Sequence, residues 1–155
     1  MVFYMKKVSK ALYVMNKKTY FIKPKDYDLA GYASSDIKRI LRNQNYHHHF
    51  IKRVCSASYE AEINMVIHSD GGILEFIFDE HQIKLNYIDF GPGIQDIEQA
   101  MQEGFSTATD YDRQNGFGAG MGLPNIKRQA DDMVIESSEQ GTILNLRFDI
   151  HKDTL

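Results

Sequence analysis

The sequence predicts an α+β domain in which helices pack on one face of a mixed or antiparallel sheet, and three patterns predict it. Residues 49–68 carry Ile51, Val54, Ala57, Ala61, Met65 and Ile67 at helical spacing. Residues 73–78 and 83–88 surround the polar turn Asp79-Glu-His-Gln82, and the alternation of Leu74, Phe76 and Phe78 suits a half-buried hairpin. A second strand pair, 133–136 and 142–148, turns at Gln140-Gly141. Stacking the apolar helix stripes on the apolar sheet face buries both.

The remaining elements follow in order. Thr19-Tyr-Phe-Ile22 reads as a short strand stopped by Pro24, and residues 34–43 as a helix with Ile37, Ile40 and Leu41 on its apolar side. His47-His-His49 reads as a polar loop, because three adjacent side chains do not converge on one ion without a favourable turn. Ser69-Asp-Gly-Gly72 ends the long helix, 94–101 reads as a short helix, 104–118 as an irregular connector and 123–130 as a helix. Residues 151–155 read as a loose tail, leaving 1–150 as a single domain.

Composition narrows the function classes. At 155 residues and 43% hydrophobic the chain suits one core, and a formal charge of −3 argues against a large nucleic-acid footprint despite Lys6-Lys7, Lys17-Lys18 and Lys38-Arg39. One cysteine, Cys55, allows no intramolecular disulfide, fits a reducing cytoplasm and reads as core packing. No run of about 18 apolar residues marks a membrane span.

Three polar sites stand out. Glu60, Asn64 and His68, spaced by four, share one helix stripe. Asn64 offers an amide oxygen suited to a hard cation, and Glu60 can orient a hydroxyl or water and take its proton. A solvated helix face accounts for the same spacing, and Glu62, on another face, reads as solvated. Asp89 follows an apolar strand and opens Asp89-Phe-Gly-Pro-Gly93. Such a carboxylate either accepts a hydrogen bond from a base amino group, with Gly91 and Gly93 letting the base approach, or closes an ordinary Asx turn.

The third site is the connector with Ser106, Thr107, Thr109 and Arg113, running into Gly116, Gly118, Gly120 and Gly122. Alternate glycines keep one backbone edge clear for an anion, or merely spare clashes with the sheet. A Walker loop is absent, and polar Asp110-Tyr-Asp-Arg-Gln-Asn115 stands where a dinucleotide fingerprint needs a strand.

In this order the three sites resemble the GHKL, or Bergerat-fold, ATPase superfamily. Glu60-Ala-Glu-Ile-Asn64 with His68 is similar to its N box, Asp89-Phe-Gly-Pro-Gly93 to its first glycine box, Gly116-Phe-Gly-Ala-Gly-Met-Gly-Leu123 to its second, and Gly141-Thr142 to its late glycine-threonine element. The resemblance is strong over 50–148 and rests on element order over 15–50. It implies a two-layer α/β sandwich of the histidine kinase-like type, with helices on one face of a mixed sheet.

Within the superfamily the chain looks most like the anti-sigma factor serine kinases and related switch kinases. That resemblance implies ATP and Mg2+ as ligands, Glu60 as the base toward a serine or threonine of a small regulatory partner, Asn64 as the Mg2+ ligand and Asp89 as the adenine reader. It further implies a nucleotide site made by Gly91, Gly93, Ser106, Thr107, Arg113, Gly116, Gly118, Gly120, Met121, Gly122, Leu123 and Thr142, under a lid from about 103 to 116. The implied partners are an anti-anti-sigma-like protein or a sigma factor, with a homodimer surface in the first 50 residues and no membrane or nucleic acid. A non-enzymatic, nucleotide-dependent binding module for such a regulator is the second reading. Two departures from the pattern are Phe90 in the glycine turn and the lack of a lysine after the lid hydroxyls, which leaves Arg113 to supply the cation.

Overall fold

The computed structural model describes residues 2–8 and 11–151, with side chains from residue 15 onward; residues 152–155 of the expected tail lie outside them. Strands β1 (Val2–Val8) and β2 (Ala11–Ile22) precede helices α1 (Tyr32–Arg42) and α2 (His48–His68). Strands β3 (Gly72–Phe78) and β4 (Gln82–Asp89) follow, then short helices α3 (Ile97–Ala100) and α4 (Asp110–Gln114). Helix α5 (Gly122–Gln129) leads into β5 (Asp132–Ser138) and β6 (Gly141–Asp149).

The strands form one sheet in the order β1-β2-β3-β4-β6-β5, and every pairing is antiparallel. The mixed sheet is therefore corrected, and connectivity supplies the reason. Two helices between β2 and β3 return the chain to the end it left, so β3 runs back along β2. The α5 crossover leaves β5 running in the same direction as β4, but β6 lies between them and no parallel ladder forms.

One sheet face carries the core. Leu74, Phe76 and Phe78 of β3, Ile83, Leu85 and Tyr87 of β4, and Leu144, Leu146 and Phe148 of β6 are buried there. Against them α1 places Ile37 and Leu41, α2 places Phe50, Val54, Ala57 and Ala61, and α5 places Ile126. Each fully buried side chain of this size contributes roughly 1.5–3 kcal/mol of transfer free energy. The α2 helix packs against both α1 and α5. The Arg53 guanidinium of α2 donates to the Gln129 carbonyl at the end of α5 at 2.7 and 3.0 Å, where a cation complements the helix dipole. Cys55 packs partly buried against the core, where burial pushes its thiol up to about 11.

Four local expectations change. Glu62 is 3% exposed, not solvated. Its Oε1 accepts from the Gly31 and Ala33 N–H groups at 3.0 and 3.1 Å, and its Oε2 from the Ser34 N–H and hydroxyl at 2.9 Å each. The α1 N-terminus starts at Gly31 with no side-chain cap of its own, so the α2 carboxylate satisfies it. His47 is the N-cap of α2, its Nδ1 accepting from the His49 N–H at 3.2 Å, and His48 and His49 begin the helix rather than a loop. Among the described residues no cluster of three His, Cys, Asp or Glu could hold a metal.

The other two concern missed elements. The connector contains α4, and its start was legible as Thr109-Asp-Tyr-Asp112, which forms a reciprocal capping box. At the other end of the chain β2 is longer than 19–22 and pairs with β1. Lysine pairs break the apolar alternation there: Lys6-Lys7 fall on the edge strand β1, where charge resists pairing with another chain, and on β2 Lys17 and Lys18 pair with Glu75 and Asp36. Among the described residues no helix is long and apolar enough to cross a membrane.

Candidate functional site

A groove of about 580 Å³ opens between the C-terminal half of α2, the turn after β4, the glycine loop and the start of α5. The helical spacing of α2 brings Glu60 and Asn64 to its wall, and both lie against Gly122: a Cβ on that glycine would come 3.1 Å from Asn64 Oδ1 and 3.4 Å from Glu60 Oε2. Glycine at 122 is what lets α5 begin over these two polar groups. The groove lining includes every residue the sequence assigned to the site except Gly91 and Arg113.

The sheet end is held by backbone. Asp89 Oδ1 accepts from the Gly91 N–H and from the Thr142 N–H, each at 2.9 Å. The Asx turn is thus real and uses one oxygen, while among the described residues Oδ2 takes no hydrogen bond. Thr142, 8% exposed, shares a 2.8 Å hydrogen bond with Ser137 Oγ, which in turn accepts from the Ile94 N–H at 2.7 Å. A Cβ on Gly93 would fall 1.9 Å from the Ser138 carbonyl, and one on Gly91 3.2 Å from that of Glu139. The first glycine box therefore serves close packing on the β5–β6 turn. Phe90 is 63% exposed and does not line the groove.

Another part of the lining comes from the segment 103–116, which the resemblance assigns to a lid. The Gly104 N–H donates to the Gly120 carbonyl at 2.9 Å, closing its neck, and Gly120, at φ 74°, has no room for a Cβ beside Gly104. Ser106 Oγ accepts from the Ala108 N–H at 3.1 Å, and Thr107 Oγ1 hydrogen-bonds His68 Nδ1 at 3.2 Å. His68 is exposed by area, but the protein crowding its ring desolvates the imidazolium and lowers its pKa, with the Asp112 carboxylate opposing that shift. Arg113 is not brought into the groove; its guanidinium lies 3.6 Å from Asp110 on the outside of α4. The i,i+3 spacing of that pair draws the cation outward.

Three contacts made by Asn125 and Arg128 went unread in the sequence. Asn125 Nδ2 donates to Glu60 Oε1 at 3.4 Å, and Asn125 Oδ1 accepts from Arg128 Nη2 at 2.5 Å, while Arg128 Nη1 reaches Glu103 at the lid base. The Asn125 to Arg128 step is one turn of α5, a helical spacing that was available as a signal. Tyr59, 43% exposed, lines the groove beside Glu60.

The lining holds the carboxylates of Glu60, Asp89 and Asp96 and, among the described residues, no lysine or arginine. Such a groove accommodates a polyphosphate only with backbone N–H groups and an added cation. Asn64 and Glu60 present hard oxygen donors of the type a divalent cation takes, so the residues present fit Mg2+.

Comparison with known proteins assigns the chain. An anti-sigma F factor of Bacillus velezensis is 34% identical over 109 residues, covering 66% of this chain and 69% of that protein. The chain belongs to the anti-sigma F factor family. Within that family the protein of Heyndrickxia coagulans is 35% identical over 96 residues, 57% of this chain and 62% of its own length. A serine/threonine-protein kinase RsbT of Bacillus subtilis is 34% identical over 89 residues, 55% of this chain and 61% of that kinase. The chain therefore spans roughly three fifths to two thirds of these relatives. No family model matches it.

Proposed function

We propose that this chain is a Mg2+-dependent ATP-binding serine/threonine kinase of the Bergerat-fold switch-kinase type, acting on a small regulatory partner of the anti-anti-sigma kind. The observation that carries the reading is the meeting of Glu60 and Asn64 on Gly122, with the free oxygen of Asp89 in the lining of the same groove. Kinship with anti-sigma F factors and with a kinase named for serine and threonine supports it.

In this reading Asp89 Oδ2 accepts the adenine amino group while Oδ1 remains anchored to the backbone. A base presenting an acceptor there leaves the carboxylate opposed, which costs about 1–3 kcal/mol. Backbone N–H groups of residues 116–122, with Ser106 and Thr107, hold phosphate oxygens. Asn64 supplies the amide oxygen for Mg2+, which when bound offsets the phosphate charge. Glu60, oriented by Asn125, would hold the partner hydroxyl in line and accept its proton as that oxygen bonds to the γ-phosphorus and the bond from that phosphorus to the bridging oxygen breaks, with ADP as the leaving group. Replacing Glu60 by glutamine keeps the shape and the Asn125 contact but removes the base, so nucleotide affinity should survive and phosphorylation of a serine-bearing partner should fall by about 10²–10⁴.

The position of Arg113 favours a second reading. With no lysine or arginine in the lining among the described residues, the groove suits nucleotide binding without fast transfer, and the protein would then act as a nucleotide-dependent binder of a sigma factor. Phosphate incorporation into the partner separates the two.

The homodimer is also part of the proposal. Phe21, Ile73, Ile88 and Ile143 face one another across β2, β3, β4 and β6 on the sheet face away from the helices, with Phe21 85% and Ile143 40% exposed. This row begins in the first 50 residues but continues well beyond them.

A further inference from the structure

The lid is tied to a segment that contributes nothing to the groove lining. Asp112 of α4 is 1% exposed. Its Oδ1 accepts from Lys25 Nζ at 2.9 Å and from the Tyr27 hydroxyl, and its Oδ2 from the Thr109 N–H and hydroxyl at 2.8 Å each. Lys25 and Tyr27 lie in the turn that follows β2, 87 and 85 residues away along the chain. A carboxylate this deeply buried is kept charged only by full pairing. Burial alone would push the Asp112 carboxyl up, but hydrogen bonds from Tyr27, Thr109 and Lys25 together hold it well below the usual carboxylate range.

The anchoring side is itself rigid. The Lys25 N–H donates to the Val66 carbonyl near the end of α2 at 2.7 Å, and Lys25 adopts a left-handed φ of 56°. The Tyr27 ring stacks on Phe117 at 5.7 Å and 18° and meets the edge of Tyr111 at 5.6 Å. Phe117 and Ala108 of the lid pack in turn on Ile63 and Ile67 of α2, a small core separate from the main one. The lid is therefore pinned by a buried charge and an aromatic stack to the helix that carries Glu60 and Asn64.

We propose that Lys25, Tyr27 and Asp112 form a latch that sets how long the lid stays closed over bound nucleotide, acting on nucleotide release and not on the transfer step. This rests on the reading of the groove as a nucleotide site. The neck at Gly104 and Gly120 holds the two lid ends together, so raising the middle of the lid requires breaking the Asp112 bonds and parting Tyr27 from Phe117. Ser106, Thr107 and Gly116 move with it. Release of nucleotide is then gated by residues that never touch it.

The test uses the full chain carrying Lys25→Met with Tyr27→Phe, which keeps the aliphatic stem and the ring and removes two donors, beside Lys25→Arg, which keeps the charge. Release of N-methylanthraniloyl-ADP is followed by stopped flow, and tryptic cleavage after Arg113 is timed in nucleotide-free protein. The latch predicts release about tenfold faster in the double variant, the effect of losing about one charge-assisted hydrogen bond. It also predicts faster cleavage after Arg113, turnover at saturating ATP within about twofold of wild type, as expected when uniform binding alone is lost, and near wild-type release in Lys25→Arg. Unchanged release in a double variant that binds nucleotide overturns the latch. If wild type binds no nucleotide, the functional reading fails and cleavage after Arg113 decides: acceleration upholds the latch, equal rates overturn it.

Discussion

At the sheet end of the groove Asp89 is set by two backbone N–H groups and the glycine box rests on the β5–β6 turn; at the lid end a buried Asp112 is set by side chains 85 and 87 residues distant. Backbone anchoring survives most side-chain replacements, whereas side-chain anchoring weakens with each donor removed. On the proposed reading, the molecule pairs a fixed base-recognition end with a lid whose closure can be tuned without rebuilding the sheet. Glu60, in the same groove lining, is held weakly by Asn125 at 3.4 Å, while its near neighbour Glu62 is locked by hydrogen bonds under α1.

The sharpest break in this contrast comes from Glu60→Gln. Transfer to a serine-bearing partner should fall by about 10²–10⁴, the range for loss of a general base, with ATP affinity unchanged by calorimetry; an unimpaired rate would remove Glu60 from the chemistry. Next, Glu62→Ala should lower the free energy of unfolding by about 3 kcal/mol in urea titration, because it exposes the α1 N-terminus and strips a charged cap. A loss within about 0.5 kcal/mol would mean that the α1 cap is dispensable.

Acid probes a different anchor. Burial opposes ionisation of Asp36, but hydrogen bonds from Lys18, Arg39 and Tyr20 outweigh it and hold the carboxyl down to about 2. Because this lies below the unfolded value of about 3.9, its contribution of about 2 kcal/mol is complete above about pH 4 and is lost as pH falls through about 4 to 2. Asp112, lowered likewise, adds a loss of the same sign at the lid. Urea midpoints measured from pH 7 downward should stay level to about pH 5 and then drop, and Asp36→Asn should flatten part of that drop. The smallest expected effect is on assembly: Phe21→Asp should shift a homodimer toward monomer in light scattering while leaving monomer stability within about 0.5 kcal/mol, as is usual for an exposed site.

Legibility followed the same division. The Glu60 and Asn64 stripe, the Asp89 turn and the alternating glycines are local patterns, and all three line the one groove. Glu62 was misread because its partners, Gly31 to Ser34, lie on another helix and no spacing on α2 announces them. The Lys25 and Tyr27 anchors were invisible for the same reason, although Thr109 and Asp112 formed a readable capping box. Arg113 was assigned to the phosphates from its place in the lid, yet a carboxylate one helical turn away pairs with it outside the groove. The long helix and the central and terminal hairpins followed from periodicity, whereas the first hairpin was obscured by lysines that an edge tolerates.

Calorimetric titration of wild type and Asp89→Asn with ATP, with and without Mg2+, tests the central claim most directly. The account predicts Mg2+-sensitive binding by wild type that weakens at least about tenfold in Asp89→Asn, the effect of one charge-assisted hydrogen bond. Absence of binding, or equal affinity in the two proteins, would contradict it.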